Sequence, residues 1–404
     1  MLTVYLDSSD YSVLSRSSLA PGHAETKSAL KAFAEKKRVR FVFSGLIVSE
    51  MAPLGAVAVP YAIDRGAWLS ELCGQNALMH RGDLMKLEVQ ALARGESPPS
   101  TAESTAHDWF PTVELDEPEP LATSVREMIR EDATFGRAER RRQERQAFKR
   151  GRLRPDVEAR IMREAGLRYV DAILSRFPME PSNAGVLGRY VMGKASRDEA
   201  IEALKASLRD PCWVMRWFSE NPKMAEPLTD MIREPGRLIG ERFRTFVEQA
   251  KRLKVMPEAE GNGTLWDQQT LSQTREWGSY VDEVLFGTVK SIAAHCKVDV
   301  ESALTSEKVA SCCPGLNATV RAALSSLRHQ LDAKQEPSDS QFPDAMHAIY
   351  GPYVDLFRAD AFMAPHIQRH LMDCGTKVVS RLVDLPREIE QRLASQGSTA
   401  VAPA

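Results

Sequence analysis

Four carboxylates in this sequence stand where hydrolytic chemistry could be done. Asp7 closes the short apolar run Thr3-Val4-Tyr5-Leu6, and Asp360 follows a second such run, Tyr353 to Phe357. Glu50 lies in the helix-forming stretch Leu46-Ile47-Val48-Ser49-Glu50, reached from the strand-like Arg38 to Phe43 through a Ser44-Gly45 turn. Asp344 opens another helical stretch just after Pro343. In open parallel sheets, ligands bind beyond the carboxyl ends of the strands, where segments distant in sequence converge. Acids gathered there would repel one another and retain protons unless a cation neutralised them. Mg²⁺ or Mn²⁺, hard and oxygen-seeking, is the expected counter-ion. Such an ion can activate a water for phosphodiester hydrolysis and stabilise the leaving oxygen. The plainer reading is that these acids only cap helices and finish strands.

Other groups invite chemistry less strongly. Residues 137–154 carry Arg137, Arg140, Arg141, Arg142, Arg145, Lys149, Arg150, Arg152 and Arg154 against only Glu139 and Glu144. Arg140, Arg141, Arg142, Arg145, Lys149 and Arg150 could track a nucleic-acid backbone, with Phe148 available to stack on a base. The alternative is a solvated helix face. Gly188 to Ala195 nearly spells a phosphate-binding loop. It lacks the hydroxyl residue after Lys194 and any preceding strand, so Gly193 reads as a helix end ahead of a Ser196 cap. His366, His370 and Cys374 are spaced to share a helix face, as zinc ligands might, with no evident fourth ligand. His347 follows Asp344 by one helical turn and is either a partner of the metal site or a core histidine.

The elements that must position the acids lie at the two ends of the chain. The first fifty residues alternate strand, helix, strand, helix, with Glu25 to Glu35 as the first long helix. The last eighty return to alternation, with a helix from Asp344 to about Tyr350, the strand before Asp360, a helix from Pro365 and a strand over Lys377 to Val383. Between them helical patterns dominate, including an apolar face from Val157 to Ile173 and a capping box at Ser196 to Glu199. Residues 95–120 are rich in Pro, Glu, Ser and Thr and read as a loop. The expected organisation is an α/β domain split into 1–55 and 331–394, a helical insertion at 56–330, and a disordered tail at 395–404.

Composition sets the outer limits. The 404 residues carry a net charge of −2 and are 43% hydrophobic, enough for a substantial core but not for a general polyanion coat. The six cysteines form no C-x-x-C pair, so a secreted disulfide framework is not expected. No apolar run is long enough to span a bilayer and no leader precedes the first strand, which points to a cytoplasmic protein.

Several of these segments together resemble a PIN-like nuclease domain. Tyr5-Leu6-Asp7-Ser8-Ser9 resembles its opening motif, and Phe43 to Glu50 its second, in which a helix supplies a glutamate. Pro337-Ser338-Asp339, Asp344-Ala345-Met346-His347-Ala348 and Pro352 to Phe357 are similar to the third motif and its following strand, with Asp360 in the place of the last acid. The resemblance covers about 1–55 and 335–390. It implies a three-layer α/β/α sandwich around a parallel sheet and a Mg²⁺ or Mn²⁺ site built from Asp7, Glu50, Asp344 and Asp360. Ser9 would steady the first acid, and Asp339 would stand behind the site or substitute as a ligand. The activity it implies is that of an endoribonuclease, and toxin-like or defence-associated cleavage of RNA fits it. The long insertion and Ala359, where a hydroxyl residue usually precedes the final acid, depart from the pattern. DNA cleavage is the nearest variant. The rival reading is a binding or scaffold protein that meets a protein partner, such as an inhibitor, through the insertion.

Overall fold

In a computed structural model, the structure describes residues 1–53, 56–115, 117, 121–131, 136–160, 178–221, 263–301, 304–333 and 341–399. Most of them are helical. The strands among them are short: β1 (Leu2–Tyr5), β2 (Val39–Val42), a ribbon of β3 (Phe148–Lys149) with β4 (Arg152–Leu153), β5 (Leu356–Arg358) and β6 (Lys377–Val379). β1, β2, β5 and β6 form one parallel sheet in the order β2-β1-β5-β6. Tyr5 stands opposite Val42 on one side and Phe357 on the other, and its ring stacks on Phe357 at 5.2 Å. Neighbouring residues of a strand point to opposite faces, yet Val4 and Tyr5, Phe41 and Val42, and Leu356 and Phe357 are all buried. Both faces of the sheet are therefore covered, as parallel sheets require.

The strand order decides where a site can open. From β1 the chain steps outward to β2 through helix α2 (Pro21–Glu35), and from β5 it steps the opposite way to β6 through helix Met363–Gln368. Right-handed crossovers in opposite directions put their helices on opposite faces. The reversal falls between β1 and β5, and the crevice lies beyond their carboxyl ends. Asp7 leaves one of those ends and Asp360 the other.

Local sequence explains the elements nearest this crevice. Asp7 caps helix α1 (Ser8–Leu14), and Asp10 accepts from the Asp7 amide at 3.1 Å, a reciprocal capping box. Helix α3 (Gly45–Met51) begins at a glycine because a Cβ there would meet the Trp109 carbonyl at 2.5 Å. Helix Pro314–Ala333 packs on the turn His347–Tyr353 and on helix Gln341–Met346, and it too starts tightly, since a Cβ on Gly315 would meet the Ile349 carbonyl at 2.3 Å. The buried Glu88, on helix α5 (Arg81–Arg94), accepts from the amides of Gly315 and Leu316 at 2.8 and 2.9 Å and from Tyr353 at 2.5 Å. Burial pushes its carboxyl up to about 7, against the pull of Tyr353 and the two amides.

Some boundaries differ from those expected. Tyr353 ends a 3₁₀ turn rather than starting a strand; pairing with β1 begins at Asp355, whose amide meets the Thr3 carbonyl at 2.9 Å. Lys377 to Val383 is a three-residue strand, then a 3₁₀ turn at Leu382–Asp384. The tail expected from 395 continues a helix, Leu385–Thr399, anchored by buried Leu385 and Ile389; residues 400–404 lie outside the described ones. Most of the apolar face read from Val157 to Ile173 also falls outside them.

The expected insertion divides. One compact unit comprises Met1–Pro111 and Ala225–Ala404, and the other Thr112–Met224. The boundary moves from 55 to 111 because the intervening chain extends the sheet edge. Phe43 exchanges hydrogen bonds with Asn76 and Leu78, and Met79 bonds onward to Ala102. Within the second unit, Met179, Ala184, Leu187, Tyr190, Ala200 and Leu204 form one core, and Val125, Ala147 and Val157 a smaller one. There the capping box at Ser196 is present, and Gly193 takes the left-handed backbone (φ 69°) that ends a helix.

Candidate metal centre

The first acid is braced from both sides. The Ser8 amide donates to Asp7 Oδ1 at 2.8 Å, and the Ser9 hydroxyl donates to Asp7 Oδ2. Each carboxylate oxygen keeps a further lone pair, so neither contact removes Asp7 as a ligand. Behind it, Asp10 is buried and paired with Arg358 of β5 at 3.2 Å. Burial raises the Asp10 carboxyl to about 7, with Arg358 opposing and Asp7 adding to the rise. Arg358 thus holds Asp10, and Asp10 holds the Asp7 backbone.

Glu50 reaches the same place from the last turn of α3. One oxygen lies 3.1 Å from His347 Nε2, and single ligand atoms of Asp7, Glu50 and His347 lie within 4.8 Å of one another. Two acids and an imidazole at that spacing could hold one divalent cation. Asp344 faces them from helix Gln341–Met346. Its carboxyl is pushed up to about 8, first by burial and then by the charges of Asp7 and Glu50, with His347 opposing and Asp360 adding a smaller push. All four predicted acids therefore meet in one electrostatic environment. Asp360 is also a helix cap, accepting from the Met363 amide at 2.6 Å, so the plain reading holds for one of its oxygens. Asp339 lies outside the described residues.

His347 is buried, as a core histidine would be, and it also touches the site. Burial alone would lower its pKa, but Glu50, by charge and hydrogen bond, and then Asp7 and Asp344, raise it above the usual value. Its Nδ1 lies 2.6 Å from the Tyr5 hydroxyl, which is 2.7 Å from Ser44 Oγ. Burial, followed by Tyr350, pushes the Tyr5 phenol well above its ordinary range, so it remains a neutral hydroxyl. Sequence reasoning gave no part to Tyr5, Ser44, Asp10 or Arg358. Two of them left a signal: Asp10 three residues after Asp7, and Arg358 as a charge inside an apolar strand.

The other candidates separate from this centre. Helix Met363–Gln368 ends before His370, so the His366, His370, Cys374 spacing does not continue as one face; among the described residues only Asp7, Glu50 and His347 gather as a metal group. His366 instead bonds Ser325 at 3.0 Å. In the second unit, helix α7 (Arg137–Ala147) leaves Arg141, Arg142 and Arg145 exposed and Arg140 half-buried, with Lys149 and Arg150 exposed on the ribbon that follows. Arg150 and Gly151 both have positive φ, the two-residue hairpin turn. Phe148 is not a free stacking surface. It packs on the small core of Val125, Ala147 and Val157, with the Arg126 guanidinium over its ring at 4.7 Å.

Comparison with protein-family models, with curated proteins and with solved structures finds no match to this chain. Among the described residues, no helix is long and apolar enough to cross a membrane.

Proposed function

We propose that this chain is a metal-dependent nuclease of the PIN-like kind, an endoribonuclease that hydrolyses RNA phosphodiester bonds. The observation that carries the reading is the convergence of Asp7, Glu50 and His347, whose ligand atoms lie within 4.8 Å of one another, with the charges of Asp7, Glu50 and Asp360 also bearing on the Asp344 carboxyl. Acids drawn so close, from both ends of the chain and at the switch point of a parallel sheet, are a site built for cations. Asp7, Glu50, Asp344 and Asp360 would hold the ion, and Mg²⁺ or Mn²⁺ suits their oxygens. When bound, that ion supplies an activated water and stabilisation of the leaving oxygen. Ser9 and Ser8 fix the Asp7 carboxylate, and His347 lies beside Glu50 at 3.1 Å. The exposed arginines of α7 are the proposed contacts to the nucleic-acid backbone.

The test is incubation of the purified protein with labelled RNA and with labelled DNA, in Mg²⁺, Mn²⁺ or EDTA. Internal cleavage of RNA that needs the metal and is lost in Asp7→Asn is the expected result. Equal cleavage in EDTA, or none of either polymer under any condition, would overturn the reading. Metal-dependent cleavage of DNA alone would correct the substrate and keep the site.

A further inference from the structure

Buried hydrogen bonds behind the acids leave one nitrogen of His347 turned toward them. The His347 Nδ1 lies 2.6 Å from the Tyr5 hydroxyl, and that hydroxyl lies 2.7 Å from Ser44 Oγ. Tyr5, Ser44 and His347 are all buried, so Nδ1 is taken up inside the protein.

The consequence falls on Nε2. With Nδ1 engaged by Tyr5, Nε2 faces a Glu50 oxygen at 3.1 Å, and ligand atoms of Asp7, Glu50 and His347 lie within 4.8 Å of one another. A histidine anchored through one ring nitrogen, with the other turned toward carboxylates, is arranged as a metal ligand. We propose that His347 Nε2 coordinates the divalent ion together with Asp7 and Glu50, and that the site therefore selects Mn²⁺ or another nitrogen-accepting transition ion over Mg²⁺. The inference rests on the metal reading above. Mg²⁺ prefers oxygen ligands and gives up its waters reluctantly. Imidazole favours first-row transition ions, whose affinity for mixed nitrogen and oxygen sites rises along the series from Mn²⁺.

The test reads binding rather than activity. Titration calorimetry should show Mn²⁺ binding tighter than Mg²⁺ in the full chain. His347→Ala should weaken Mn²⁺ by about 10–100-fold while changing Mg²⁺ little, and Tyr5→Phe should give a smaller loss of the same kind. In a pulsed magnetic-resonance spectrum of the Mn²⁺-loaded protein, a directly bound nitrogen should appear, and ¹⁵N-labelled histidine should shift its coupling without any substitution. The labelled wild type keeps the experiment decisive where His347→Ala fails to fold. Absence of nitrogen coupling, or equal losses for both ions in His347→Ala, would overturn the inference while leaving the acidic site intact. Undiminished binding of both ions to Asp7→Asn would remove the metal site itself and this proposal with it.

Discussion

The acids around Asp7 and the arginines of helix α7 are both dense charge clusters, yet they are held in opposite ways. The acids are half-buried, their charges and burial raise the Asp344 carboxyl, and they are held beside serines, an imidazole and a buried Asp10–Arg358 pair. Arg141, Arg142 and Arg145 face solvent, and Arg142 meets Glu139 only loosely, at 3.9 Å. Exposed pairs of that kind contribute about 0–1 kcal/mol. Charge that a fold brings together against its own repulsion calls for a ligand, whereas charge left in water needs none. The contrast favours the first cluster as the proposed cation site and leaves the second, at most, as a source of attraction for a polyanion.

The largest effect should come from breaking the braced cluster. Asp7→Asn keeps the shape and the Ser8 contact but removes a charge, and it should abolish metal-dependent cleavage while the circular dichroism spectrum stays that of the wild type. Asp344→Asn should behave alike, and Asp360→Asn should lose less because one of its oxygens serves the Met363 amide. Full activity in Asp7→Asn would take that residue out of the site.

Glu88 sharpens the comparison, being a buried acid with a structural task. Glu88→Ala would strip the acceptor from two buried amides and the Tyr353 hydroxyl, each worth about 1–3 kcal/mol when left unpaired. The expected outcome is a loss of about 3 kcal/mol or more in denaturant melts, with the metal affinity of the surviving folded protein little changed. Unaltered stability would show that the Glu88 contacts do not hold helix Pro314–Ala333 in place.

Asp344 sets a smaller, pH-dependent effect. Its folded-state pKa, about 8, lies above the roughly 3.9 of an unfolded aspartate. As pH rises from about 4 the unfolded chain releases this proton while the native site keeps it, so metal-free stability falls until pH passes about 8. Asp344→Asn should flatten that fall and raise the melting temperature more at pH 8 than at pH 5. A wild-type melting temperature that rises across this range in parallel with the variant's would show Asp344 to be ionised without metal.

How much of this was legible in the sequence depends on the range of the interactions involved. Asp7, Glu50 and Asp360 could be read because the apolar runs and turns that place them are local, within a few residues of each acid. His347 could be read only as either a partner of the metal site or a core histidine, because its contacts with Tyr5 and Glu50 are made by segments distant in sequence. Likewise the periodicity of 314–333 marks a helix but not the surface its buried face meets, so a helix that shapes the site was read as insertion. The arginine run was legible as charge. That Phe148 belongs to a small core depended on Val125 and Val157, neither of them adjacent to it in sequence.

The arginines offer the smallest effect and the closest test of the contrast. Changing Arg140, Arg141, Arg142 and Arg145 to Gln should leave the metal site untouched, so cleavage at saturating RNA should recover most of the wild-type rate. Binding should weaken alike for unrelated sequences, since phosphate contacts position a substrate without reading it. Each lost contact to a single strand should make the log–log salt dependence shallower by about 0.7, or nearly 3 for all four. Affinity measured against salt in the Asp7→Asn background, where nothing is cut, checks this directly. Phe148→Ala belongs beside it as a control: a ring packed on Ala147 and Val157 should lower the stability of its own unit and leave the salt slope alone. If instead Phe148→Ala weakens binding while the four arginines do not matter, α7 does not work through its charge, and its exposed face is left for a protein partner.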